Sequence, residues 1–157
     1  MKKVLFYSLI IPAVCIISCT ACKKSSDSSS SNNTTTYFMA AKVGTDSFNA
    51  SGTAQISAAL TTSNNTLSID GTSGSGSSVS VVTLSIMPYN NTTGTLAINP
   101  GTISGFASLA GGSPKYAKYG QIVLTTATSS SVAGTFSYTC SDSTKVTGAF
   151  SASVHTL

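Results

Sequence analysis

The chain has no arginine, no glutamate and no tryptophan, and its one histidine is His155. Charged residues make up 8% of its 157 positions; every base is a lysine and every acid an aspartate. Half of the lysines (Lys2, Lys3, Lys23, Lys24) crowd the N-terminal region. From residue 37 onward Lys42, Lys115, Lys118 and Lys145 face Asp46, Asp70 and Asp142. Most of the formal charge of +4 therefore belongs to the start of the chain. Nucleic-acid binding needs a clustered basic face, and this balance excludes it.

Cysteine is scarce where a domain would need it. Cys15, Cys19 and Cys22 precede the low-complexity stretch, which leaves Cys140 alone beyond it. No disulfide is available inside the domain, even in a compartment that permits one. Cys140 is expected to be a small buried hydrophobe. A cysteine nucleophile would want a nearby histidine, and His155 is the only one. The three aspartates of the domain are expected in separate turns, which is their ordinary capping role. Calcium needs several charged oxygens close together and zinc needs clustered Cys and His. Neither set exists, and no Gly-x-Ser-x-Gly elbow or phosphate loop occurs. The expectation is a protein that is not an enzyme, with no metal and no cofactor.

What is present begins with a basic tip, Met1-Lys2-Lys3, and an apolar run over residues 4–17 interrupted by Pro12. A membrane-spanning helix takes about 20 apolar residues, so this shorter run reads as the core of an export signal. Ile16-Ile17-Ser18-Cys19 resembles a bacterial lipobox; Ala21-Cys22-Lys23-Lys24 is similar to the mature start of many lipoproteins. Cleavage before Cys22 discards every upstream thiol, so Cys22 is the expected lipid attachment site, with Cys19 the alternative. Each buried methylene contributes about 0.8 kcal/mol and one acyl chain holds only marginally. The three chains of such lipoproteins would hold permanently. The expected location is the outer membrane, by a covalent lipid anchor.

The chain divides into residues 1–21 as signal, 22–36 as lipidated cysteine and linker, and 37–157 as one domain. The linker is Ser/Thr/Asn-rich without an apolar residue, which predicts disorder and a reach of about 20 Å. About 120 residues then suffice for one core. Their period is two. Leu67 and Ile69, Val82, Leu84 and Ile86, and Ile122 and Leu124 alternate with polar residues. Val132, Gly134, Phe136, Tyr138 and Cys140 share one face, and Val146, Gly148, Phe150, Ala152 and Val154 another. These patterns predict half-buried strands. Turn signals fall at Gly44-Thr45-Asp46, Asn64-Asn65, Asp70-Gly71, Asn90-Asn91, Asn99-Pro100-Gly101 and Ser141-Asp142. Eight or nine strands and no helix are expected, as an antiparallel β-sandwich or a small closed barrel. Residues 107–119 are expected to be an irregular loop. Gly134-Thr135-Phe136-Ser137 echoes Gly148-Ala149-Phe150-Ser151, as two strands of one hairpin would.

Within residues 115–119, Lys115, Tyr116, Lys118 and Tyr119 are the candidate ligand contacts. Tyrosine faces stack on sugars and lysines meet acidic groups. Residues 40–48 (AAKVGTDSF), 133–138 (AGTFSY) and 145–150 (KVTGAF) resemble a family of small Bacteroidota lipoproteins built on a domain of unknown function. The resemblance implies an all-β domain on a lipid tether and carries over no catalytic residue. The functional expectation is a non-catalytic cell-envelope module, structural or binding, with a glycan or an envelope protein as partner. The alternative is a carbohydrate-binding accessory lipoprotein using residues 115–119.

Overall fold

A computed structural model describes residues 36–157. The signal, both candidate lipid-bearing cysteines and the linker as far as residue 35 lie outside the described residues.

Hydroxyl-rich alternation and tight turns give an all-β chain of ten strands. They are β1 (Phe38–Val43), β2 (Asp46–Ser51), β3 (Ile56–Thr61), β4 (Thr66–Ser73), β5 (Ser80–Ile86), β6 (Gly94–Ala97), β7 (Ile103–Ser108), β8 (Lys115–Ala127), β9 (Ser131–Cys140) and β10 (Lys145–Thr156). One short 3₁₀ turn, Gly76–Ser78, precedes β5.

Three long strands, β8, β9 and β10, form a continuous wall. The outer edge of β10 is split: residues 146–151 pair with β1, and residues 154–156 pair in parallel with β3. The outer edge of β8 is split likewise, between β7 at residues 115–116 and β6 at residues 121–124. Each long strand thus serves two layers. One layer runs β2-β1-β10-β9-β8-β6 and the other β3-β4-β5-β7. The two seams close the ring β10-β3-β4-β5-β7-β8-β9 into a barrel, with β1, β2 and β6 added outside it.

The core fills the space between the layers, with Phe48, Phe150, Met39, Leu67, Ile69, Leu84 and Ile122 almost fully enclosed. The faces read from the sequence hold: Val132, Gly134, Phe136, Tyr138 and Cys140 all point inward. Phe136 stacks with Tyr138 at 6.0 Å between ring centres and tilts against Phe150 at 6.3 Å. Two glycines of the four-strand layer mark where the layers come closest. A Cβ on Gly71 would stand 2.8 Å from Met39 Sδ, and one on Gly105 would stand 2.6 Å from Tyr138 Cε1.

Three expectations are corrected. Asp70-Gly71 is not a turn but the middle of β4, with glycine there because Met39 and Phe48 occupy the side-chain space. Asp70 accepts hydrogen bonds from Thr83 Oγ1 at 2.6 Å and Ser68 Oγ at 3.0 Å rather than capping a turn. Residues 107–119 are not one irregular loop: β7 runs to Ser108 and β8 starts at Lys115, leaving residues 109–114 as the connection. The strand count is ten rather than eight or nine, and the four-residue, largely exposed β6 lacks the burial alternation that would announce it.

Candidate functional site

Residues 115–119 are strand, so their side chains diverge. Lys115 turns to the barrel end and pairs with Asp142 of the β9–β10 turn. That contact and the Thr144 N–H, which donates to Asp142 Oδ1 at 3.0 Å, hold the Asp142 carboxyl down at about 2. Tyr116 tilts over Phe106 at the β7–β8 seam, 5.3 Å between ring centres, and stays 61% exposed. Ala117, the next residue along the strand, is buried. Lys118 and Tyr119 are both exposed because β8 slips register there: Ala117 opposes Cys140, and Tyr119 already opposes Thr139. Such a bulge places two successive side chains on one face.

The bulge shapes a shallow groove of about 420 Å³ on the outside of the wall, lined by Tyr119, Gly120, Gln121, Ser137, Tyr138, Thr139 and Lys145. Gly120 has φ +145°, and a Cβ there would collide with the Ser137 carbonyl and lie 2.5 Å from Tyr138 Cα. Only glycine lets β9 approach so closely beneath the groove. Tyr119 stands across from Thr139, and Thr139 across from Lys145. One row away Gln121 stands across from Ser137. An aromatic face, an amide, hydroxyls and an ammonium converge here, the donor set that orients a polar ligand.

Of the four residues expected to contact a ligand, Tyr119 lines this groove; Lys115 and Tyr116 do not, and Lys118 adjoins it in the bulge. Gln121, Ser137, Thr139 and Lys145 were missed. The one local signal was Gly120 inside a strand pattern, the usual mark of a bulge or a close backbone approach.

The reactive groups are held apart or enclosed. Cys140 is free and buried, and burial pushes its thiol pKa up. It sits at the turn end of the β9–β10 hairpin, whereas His155 lies past the pair Ser131–Ser153 at the other end. Nine residues of strand place them roughly 30 Å apart. Among the described residues no three His, Cys, Asp or Glu gather as a metal site would require. No family model, no curated protein and no solved structure matches the chain.

Proposed function

We propose that this chain is a non-catalytic, lipid-anchored module of the cell envelope that binds saccharides through the groove over the β8 bulge. The observation that carries the reading is the convergence of Tyr119, Gln121, Ser137, Thr139 and Lys145 in one open groove of about 420 Å³. Tyr119 is 59% exposed, so its ring face is free to stack on a sugar. The hydroxyls and the amide offer donors and acceptors in the alternating pattern that sugar hydroxyls need. The export signal, the cysteine at position 22 and the resemblance to small Bacteroidota lipoproteins support the envelope location. A saccharide-binding module on a lipid tether would hold a polymer close to the outer membrane.

The test is a glycan array probed with the full chain in detergent micelles. Binding that disappears in Tyr119→Ala supports the reading. Failure to bind any polysaccharide overturns it and leaves a structural role. Labelling cells with a lipid precursor tests the anchor: loss of label in Cys22→Ala is expected, and loss in Cys19→Ala would move the attachment to that residue.

A further inference from the structure

The outer face of the wall holds more than this groove. A second depression of about 430 Å³ lies on β2, β1 and β10, with Lys42, Ser47 and Thr147 in its lining. The two are joined by register. Gln121 opposes Ser137, Ser137 opposes Thr147, Thr147 opposes Lys42, and Lys42 opposes Ser47. Cross-strand partners share a face, so these five polar side chains form one unbroken row on the outside of five strands. Four interstrand spacings give it a length of about 19 Å, that of a short oligosaccharide rather than one sugar.

Charge on this face has one sign. Lys42 and Lys145 both stand on it, because Lys145 is two residues from Thr147 on the same strand. Lys118 is exposed beside Tyr119. The aspartates lie elsewhere: Asp70 is on β4 in the other layer, Asp142 is engaged by Lys115 in the turn, and Asp46 opposes the inward-facing Val43. Among the described residues, the lysines of the face therefore have no acid on the same strand face to neutralise them.

We propose that the row takes an acidic polysaccharide, laid across the strands from Tyr119 to Ser47, with its carboxylates at Lys145 and Lys42. This rests on the saccharide reading above and adds the ligand's charge and its extended form. Tyr119 stacks on one sugar ring at the β8 end. Lys145, two strand spacings or about 10 Å away, meets the carboxylate of that sugar or of its neighbour. Lys42, diagonal to Lys145 across the β10–β1 pair, meets the carboxylate of the next sugar. The hydroxyls of Ser137, Thr147 and Ser47 along the row accept from and donate to the sugar hydroxyls.

The experiment is calorimetric titration of the full chain in detergent with oligogalacturonate, its fully methyl-esterified form, and galacturonic acid monomer. The acid oligomer is expected to bind at least 10-fold more tightly than the monomer or the ester, and to weaken as salt is raised. Lys42→Gln and Lys145→Gln each weaken it several-fold, and Tyr119→Ala weakens it about 10-fold, with melting temperatures unchanged because all three are exposed. Equal binding of acid and ester overturns the acidic ligand while leaving the saccharide groove standing. Monomer binding as tight as the oligomer overturns the extended row. Binding of none of the three overturns the proposal, and the glycan array then decides the saccharide reading separately.

Discussion

Phe136 stands directly across the β9–β10 ladder from Gly148, and its ring occupies the space where a side chain at 148 would go. Gly134 likewise stands across from Phe150, but there the side-chain space is taken by the β8 backbone at Val123 and Leu124. A Cβ on Gly148 would also meet the Ala40 carbonyl on β1. Gly148→Ala gains about 0.4–1 kcal/mol from a less free unfolded chain. Overpacking costs about 1–3 kcal/mol. The variant is expected to be less stable by about 1–2 kcal/mol, seen by circular dichroism as a melting temperature lower by several degrees. A melting temperature at or above that of the unaltered chain would show that Phe136 yields at no cost.

Tyr138 carries the opposite expectation. Its ring packs on Gly105 across the barrel, yet among the described residues its enclosed hydroxyl has no hydrogen-bond partner. Leaving a buried hydroxyl unpaired costs about 1–3 kcal/mol. Tyr138→Phe keeps the ring contact and removes that cost, so stability should be unchanged or higher. Burial also pushes the Tyr138 pKa up from its ordinary 10.0. A group whose folded pKa is raised contributes stability that is complete below the unfolded value and is lost as pH climbs above it. The unaltered chain should therefore lose stability above pH 10, and Tyr138→Phe should lose less, in denaturant titrations across that limb. Parallel alkaline limbs would remove Tyr138 as the cause.

Much of this was legible in the sequence, and the failures share one cause. Alternation identified the inward faces of β9 and β10 because a period of two is local. Asp70-Gly71 misled because a residue pair that favours turns was chosen here for a contact with Met39 and Phe48, distant in sequence. Residues 115–119 misled because the bulge breaks the period at Lys118 and Tyr119. The polar row across β8, β9, β10, β1 and β2 has no local signature at all. It exists only in the register of strands brought together by the fold.

The ion pair at the barrel end makes an acid-limb prediction. Lys115, aided by the Thr144 N–H and hydroxyl, holds the Asp142 carboxyl at about 2, below its ordinary 3.8. A depressed folded pKa contributes stability above the unfolded value, and that contribution is lost as pH falls through the folded one. Asp142→Asn should therefore be less stable than the unaltered chain at neutral pH. The two should converge as pH drops from about 4 to about 2. Because the carboxyl is exposed to solvent, the gap is expected to be small and to shrink with added salt. Thermal melts of both chains across that window are the measurement, and a gap that persists at the acid end would assign the loss to the turn itself.

Cys140 tests whether the barrel end is closed. The residue is 2% exposed, and burial and the nearby Asp142 charge both push its thiol pKa up, against a smaller opposing effect from Lys115. Thiolate, not thiol, is the nucleophile, so the native residue is doubly protected: little of it is ionised and little can be reached. Alkylation by a water-soluble maleimide, followed by peptide mass spectrometry of the segment bearing Cys140, should proceed only as fast as the barrel opens. Unfolding in guanidinium should raise the rate by orders of magnitude. Asp142→Asn removes both the ion pair and the charge that raises the thiol pKa, so it should speed labelling where Lys42→Gln does not. Rapid labelling of the native, unaltered chain would mean that the β8 and β9 ends part readily, and the ion pair would then be no closure.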